Sequence, residues 1–520
     1  MGILTVLGLV PLVGSIVVAF LPAGQPAVAK RVALMVAAAT FAIAVVLAIA
    51  YDAGSTQAFQ FVETHQWIPT LGITYSVGVD GIGLVLILLA TLLVPIVIMV
   101  GWNDVEVTAG LSNGSQPQGS VKGYFALMLV LEAFVIGVFA SLDVLLFYVF
   151  FEAVLIPVYF MIGRYGTGRR AYAAIRFLIY SLVGGLVMLA ALAVLWYVSL
   201  QAFGYPTMYL PDLLSIEIDP TLQGWLFWGF FLAFAIKAPL WPLHSWLPSA
   251  SGSATPGTAA LLIGVLDKIG TFGMLRLALP LFPEASQSFA PIVIAMAVIG
   301  IFYGALVAIG QKDIKRLFGY VSLSHFGFIT LGIFVFTSQG QSGSAFYMLG
   351  HGISTALLFG VLGYMIARRR SSLVADFGGV NKVAPVLAGF FLVAGLSALA
   401  LPGMMTFLSE FLVLVGTFSR YPWLGAAATV AIVLASLYVL LLYQRTMTGA
   451  PAESVKGMHD LSGREKWALA PLMALMIVLG FFPGPVLEVI NPAVRTTMEW
   501  VGVTDPPHPV QADSLGRVEP

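Results

Sequence analysis

The chain has no cysteine among its 520 residues. That excludes disulfides, thiolate metal sites, cysteine-ligated iron–sulfur clusters and cysteine nucleophiles. Charge is also scarce. Only 9% of residues are Asp, Glu, Lys or Arg, against about 25% in soluble domains. Hydrophobic residues make up 59%, and mean hydropathy is +0.98. Forty-eight charges cannot dress a soluble body of this size. The 24 basic and 24 acidic residues balance, so no basic excess invites nucleic acid. What is there is apolar: a polytopic membrane protein, read as one bundle although its length would suit about three or four soluble domains.

A membrane helix needs about 20 mostly apolar residues. Fourteen stretches qualify, near 3–22, 31–51, 80–101, 121–141, 143–163, 172–200, 222–246, 256–279, 289–309, 316–336, 345–367, 384–418, 421–446 and 466–489. The first lacks a basic n-region and a small-residue cleavage site, so it is read as a mature span and not a signal peptide. The predicted fold is all-α with about 14 transmembrane helices. Spans 7 and 12 carry proline breaks, at Lys237-Ala238-Pro239 and Leu401-Pro402-Gly403. Proline removes a backbone donor and disfavours helix before it. In lipid, freed backbone groups need neighbours or a wet cavity. The two broken spans lie five apart and so run in opposite directions, the pattern of inverted repeats. The expected units are 1–120 (spans 1–3 and loops), 121–280 (first repeat, spans 4–8), 281–447 (second repeat, spans 9–13), 448–504 (span 14 and flanks) and a polar, proline-rich disordered tail, 505–520.

Lys and Arg set the expected orientation. Eighteen fall on one set of loops, among them Lys30, Lys122, Arg164, Lys315 and Arg368. Four (Arg276, Arg420, Arg495 and Arg517) fall on the other. The basic side should be cytoplasmic, which puts both termini outside.

Ionisable residues at mid-span are functional hypotheses by default. They are Glu132, Glu152, Lys237, Asp267, Lys268 and Glu410, joined by His325 and His351, with His244 near the inner end of span 7. Glu152 and Lys237 are read as a pair. Together both are charged; apart, the lysine loses its counter-ion and tends to release its proton. A static ion pair that fixes helix register is the structural alternative, and the break beside Lys237 favours the functional one. Histidines relay protons or simply bond neighbouring helices; both readings stay open for His325 and His351. Glu410 is a terminal proton site or a cap on a half-helix. Glu132 is a second carboxylate near Glu152 or a bonded packing residue. Asp267 and Lys268 are adjacent and point about 100° apart on an α-helix, so Asp267 either modulates Lys268 or pairs elsewhere.

Three motifs resemble the antiporter-like subunits of respiratory complex I and Mrp-type cation/proton antiporters. They are Phe234-Ala-Ile-Lys-Ala-Pro-Leu-Trp-Pro-Leu-His-Ser-Trp-Leu-Pro248, Asp267-Lys-Ile-Gly-Thr-Phe-Gly-Met-Leu-Arg276 and Gln311-Lys-Asp-Ile-Lys-Arg-Leu-Phe-Gly-Tyr-Val-Ser-Leu-Ser-His-Phe-Gly327. Three more narrow the likeness to M-type subunits of proton-translocating NADH:quinone oxidoreductase: Val79-Asp-Gly-Ile-Gly, Phe147-Tyr-Val-Phe-Phe-Glu-Ala-Val-Leu-Ile-Pro157 and Leu401-Pro-Gly-Met-Met-Thr-Phe-Leu-Ser-Glu-Phe411. Glutamate at 410 discriminates, because L- and N-type subunits and the antiporters resemble one another in having lysine there.

The resemblance implies a translocase subunit with no redox chemistry of its own. Glu152 and Lys237 match the family's ion pair, Lys268 its central relay lysine, His325 and His351 its relay histidines, and Glu410 its exit-side residue. It also implies no cofactor or metal in this chain. FMN, iron–sulfur clusters and quinone sit in partner subunits, L-like and N-like neighbours flank it, and the setting is a bacterial cytoplasmic membrane. Two segments depart: 249–256 is uncharged where the family is acidic, and Asp267 stands where it is apolar. An Mrp-type Na⁺/H⁺ antiporter subunit, or a haem anchor using His325 and His351, are the alternatives.

Overall fold

The computed structural model describes residues 2–111 and 119–507. The disordered tail expected from 505 lies, beyond residue 507, outside the described residues. Among the described residues, the regular structure is helical apart from one hairpin. Its helices are α1 (Ile3–Phe20), α2 (Pro26–Ala50), α3 (Gly81–Val100), α4 (Asp104–Leu111), α5 (Val121–Ala140), α6 (Val144–Tyr165), α7 (Arg170–Phe203), α8 (Pro220–Lys237), α9 (Leu247–Ser253), α10 (Pro256–Leu281), α11 (Pro283–Ile309), α12 (Ile314–Phe334), α13 (Ser338–Arg369), α14 (Pro385–Ala398), α15 (Met405–Arg420), α16 (Pro422–Met447), α17 (Gly463–Phe481) and α18 (Gly484–Val501). A four-residue turn of helix, Leu210–Leu213, precedes α8.

Among the described residues, eleven helices are long and apolar enough to cross a membrane, and up to thirteen if each of two bent pairs counts as one span. Expected span 7 is α8 followed by a turn and the short α9. Expected span 12 is split into α14 and α15. Expected span 14 is shorter than predicted. It ends at Phe481 and the chain bends by 71° into α18, because Pro483 and Pro485 stop the helix. In α18, Ile490, Ala493, Val494, Thr497, Met498 and Val501 are buried, a spacing of three and four that lays one apolar face on the bundle.

Capping carboxylates start several spans. Asp80 accepts from Gly83 N at 2.8 Å; Asp143 accepts from Leu145 and Leu146 N at 3.0 Å each and from Thr74 N at 2.9 Å. Both satisfy the orphan amides of helix starts. The predicted loop 52–79 contains an antiparallel hairpin, β1 (Gln60–Ile68) and β2 (Ile73–Val79), in the register Thr64↔Ser76 and His65↔Tyr75. Its Glu63 caps α1 from outside: its carboxylate accepts from Gly2 N at 2.7 Å, Leu4 N at 3.0 Å and Thr5 Oγ1 at 2.6 Å.

Partial burial pushes the Glu63 carboxyl up, but the Thr5, Gly2 and Leu4 donors outweigh it and hold the group below the ordinary carboxylate range. A depressed folded-state value stabilises above the unfolded value and is lost as pH falls through the folded one. Acid should therefore undock the α1 start. Glu63→Gln should remove that acid-dependent step, seen as an unchanged protease-cleavage rate near residue 2 between neutral and acidic pH. A step that persists in the variant would refute the cap.

The middle of the bundle holds the helices that matter. The apolar stretches of α10 and α13 are wholly enclosed by protein, and α12 is 94% so, whereas those of α1, α2, α7 and α16 are mostly uncovered. A charge on α10 or α13 therefore meets other helices and not lipid.

Candidate functional site

The two breaks open where the sequence placed them. α8 stops at Lys237, and Trp246 Nε1 closes over the gap by donating to the Ile236 carbonyl at 2.9 Å. α14 stops at Ala398, and Thr406 Oγ1 donates to the Ser397 carbonyl at 2.6 Å. Between them Ala400 has φ +56°, a left-handed backbone that costs an alanine roughly 1–2 kcal/mol. Such strain gathers at switching sites.

Lys237 is fully buried at the broken end of α8. Its Nζ donates to the Phe151 carbonyl at 3.0 Å and lies 4.3 Å from the Phe151 ring centroid. The expected Glu152–Lys237 contact is open: the two act on each other through space, with no ion pair within 4.0 Å. Glu152 is half-buried, and its Oε1 has no protein partner. It lies against Gly185 of α7, where any Cβ would collide with the carboxylate. Glu132 is buried with neither oxygen hydrogen-bonded to protein.

α10 is not a regular helix. Segments Leu262–Leu266 and Met274–Ala278 are π-helical, and such widened turns are frequent at functional sites. The first frees the Ile263 carbonyl, which accepts from Lys268 Nζ. Lys268 also meets His351 Nδ1 at 2.8 Å and faces the Phe326 ring at 5.1 Å. Asp267 is buried with both oxygens unpartnered, within electrostatic reach of both Lys268 and Lys237. It is hydrogen-bonded to neither lysine.

From Lys268 the row continues. His351 and His325 meet edge to face, 5.1 Å between centroids. His325 hydrogen-bonds the Ala398 backbone at the end of the half-helix α14. Its ring lies 5.7 Å from that of Tyr347. Tyr347 OH donates to Glu410 Oε2 at 3.2 Å. Tyr438, buried on α16, also acts on Glu410. His244 stands apart in an aromatic setting, 5.1 Å from Tyr303 and 6.4 Å from Tyr320.

Sequence reading missed Tyr347. One of 18 tyrosines, it carries no charge to mark it; only its position one helical turn from His351 on α13 could have singled it out.

The fold and this row define a polytopic membrane protein with protonatable groups strung between two broken helices. Residues 141–435 match the family of NADH:quinone oxidoreductase/Mrp antiporter transmembrane proteins, and the chain belongs to that family. It is 49% identical to NADH-quinone oxidoreductase subunit M of Mycobacterium tuberculosis, over 99% of this chain and 98% of the relative. A solved structure of respiratory complex I from Thermus thermophilus with bound NADH contains a chain 31% identical, TM-score 0.85, covering 96% of this chain and all of that one. A chain of the Mrp complex from Dietzia sp. shares the fold at TM-score 0.79 and 20% identity, covering 96% of this chain and all of that one.

Proposed function

We propose that this chain is a proton-translocating membrane subunit of an NADH:quinone oxidoreductase, coupling NADH oxidation elsewhere in the complex to proton movement along its own buried row. The observation that carries the reading is continuity: Lys268, His351, His325, Tyr347 and Glu410 follow one another by contact through the enclosed helices. Lys237 stands at the other end, within electrostatic reach of both Glu152 and Asp267. The open Glu152–Lys237 contact suits a switch better than a static pin. When the carboxylate approaches, Lys237 keeps its proton; when it withdraws, low dielectric favours release onto the row.

The breaks at 238–246 and 399–404 support the two inverted units, 121–280 and 281–447. The basic loops support a cytoplasmic inner face with both termini outside a bacterial plasma membrane. FMN, iron–sulfur clusters and quinone reside in partner subunits, and half-buried Glu152 suits contact with an antiporter-like neighbour of the L or N type. The Mrp-type reading rests on the shared family and on a fold likeness at 20% identity.

The test is NADH-driven proton pumping by the assembled complex carrying Lys237→Ala or Glu410→Ala. Undiminished pumping would overturn the assigned roles. Tyr347→Phe keeps the ring against His325 and removes only the hydroxyl bonded to Glu410. It should slow pumping roughly tenfold, ~1.4 kcal/mol, with assembly unchanged; parental pumping would make Tyr347 a packing residue.

A further inference from the structure

The resemblance leaves one gap. Segment 249–256, at the cytoplasmic end of α10, carries no charge, so the row has no acidic group to gather protons there. The fold supplies one from a distance. α4 follows α3 on that side, and its first residue, Asp104, is buried against the start of α10. Asp104 Oδ2 accepts from Gly257 N at 2.8 Å and from Tyr124 OH at 3.4 Å. The Tyr124 hydroxyl in turn meets Thr255 Oγ1 at 2.6 Å and Thr258 Oγ1 at 3.1 Å. Lys315 is buried beside them, donating to the Ala254 carbonyl at 3.0 Å.

A cavity of about 230 Å³ reaches this cluster. Exposed Arg370 and half-exposed Ser371 and Ser372 lie at its mouth; Asp104, Thr255 and Lys315 lie at its floor. It is polar and large enough for several waters. Resting on the proton-translocation reading above, we propose that Asp104 and this cavity form the cytoplasmic proton inlet to Lys268.

The inward path follows the facing walls of α10 and α13. On α10, Thr258 lies five residues, about 7.5 Å of helix axis, before the Ile263 carbonyl that holds Lys268. On α13, Thr355 Oγ1 sits 3.4 Å from His351 Nε2, and His351 Nδ1 meets Lys268. Between them Gly264 and Gly352 press backbone to backbone: a Cβ on Gly352 would sit 2.7 Å from the Gly264 carbonyl oxygen. Those carbonyls are hydrogen-bond acceptors along the path. The proton is taken from cavity water by the Asp104 carboxylate and passed by hydroxyl exchange; no bond other than O–H and N–H changes. Burial pushes the Asp104 carboxyl above its ordinary range, against bonds from Gly257, Thr255 and Tyr124 and the Lys315 charge. A carboxyl so held can carry a proton at higher pH than a solvated one. Lys315, Arg370, Tyr124 and Tyr364 are the titratable or charged groups around it.

The experiment uses inside-out membrane vesicles holding the assembled complex, with NADH-driven proton uptake and NADH:quinone turnover read together at about pH 6.5 and about pH 8.5. Asp104→Asn keeps an acceptor for Gly257 but cannot gather protons. Uptake should fall about tenfold at the alkaline pH, where bulk protons are scarce, and little at the acidic one; Asp104→Glu should restore it. Parental uptake at both pH values, or an equal loss at both that glutamate does not rescue, would overturn the inlet. Lys268→Met in the same vesicles separates the two levels. If it abolishes uptake while Asp104→Asn is silent, only the inlet fails; if it too is silent, the function fails and the inlet with it. As the chain has no native cysteine, Thr108→Cys adds a check that does not remove the carboxylate. A thiol reagent applied to the cytoplasmic face should block uptake in this variant beyond its effect on the parent complex, whose cysteines lie in other subunits; full labelling at position 108 with no added loss of uptake would refute the cavity's role.

Discussion

Methionine in place of Lys268 is expected to stop NADH-driven proton translocation. The side chain is fully buried on a helix enclosed by protein, bonded to His351 at 2.8 Å and to the Ile263 carbonyl. Methionine is unbranched and close in length, so the packing survives. Only the proton carrier is lost, and a positioned acid–base group contributes about 10²–10⁴ in rate. The assembled complex should still form, and its proton uptake should fall at least a hundredfold on that scale. Lys268→Arg sharpens the result. Arginine keeps the charge and the hydrogen bonds but does not give up its proton. If it too fails, proton release is required; if arginine restores pumping, Lys268 is a fixed charge and the relay reading falls.

Helix breaks were legible because proline acts locally. Pro239 and Pro402 end their helices wherever the rest of the chain goes. The buried row was legible because a charge in an apolar stretch has few innocent reasons to be there. What could not be read is reach. Glu152 and Lys237 look like a pair in sequence, yet the lysine spends its hydrogen bond on the Phe151 carbonyl. Whether two side chains touch depends on a few ångströms of helix separation that no spacing rule supplies. Tyr347 was invisible for the same reason. Its bridge to Glu410 exists because α13 and α15 pack closely, with Gly343 of α13 so near Leu412 of α15 that a Cβ would sit 2.8 Å from the leucine Cβ. The reach of Asp267 toward Lys237 as well as Lys268 was not legible, because the π-helical turn before it departs from the regular 100° step. The hairpin was overlooked although β2 alternates, Ile73-Thr-Tyr-Ser-Val-Gly-Val79. The lateral helix α18 was absorbed into span 14 because its apolar face continues the apolar run.

Arg276 was read as a loop charge, and its true place predicts the largest stability effect in the chain. It lies within α10, 6% exposed, paired with the 2% exposed Asp80 that caps α3. Its guanidinium also lies 4.8 Å from the Phe59 ring and 5.7 Å from the Phe272 ring. The contact ties α10 to the start of α3 and the entrance of the hairpin. Arg276→Met leaves a buried carboxylate with no counter-charge, a loss of about 3–5 kcal/mol. Asp80→Asn together with Arg276→Met removes both charges and keeps an acceptor for Gly83, so most of that loss should return. By contrast, Lys456 and Glu453 pair on the surface, with side chains 58% and 87% exposed, and Lys456→Ala should change nothing measurable. Thermal unfolding of the detergent-solubilised complex, followed by release of this chain, reads all three. Equal losses for the single and double variants would show that the guanidinium acts through its aromatic stacking and not through Asp80.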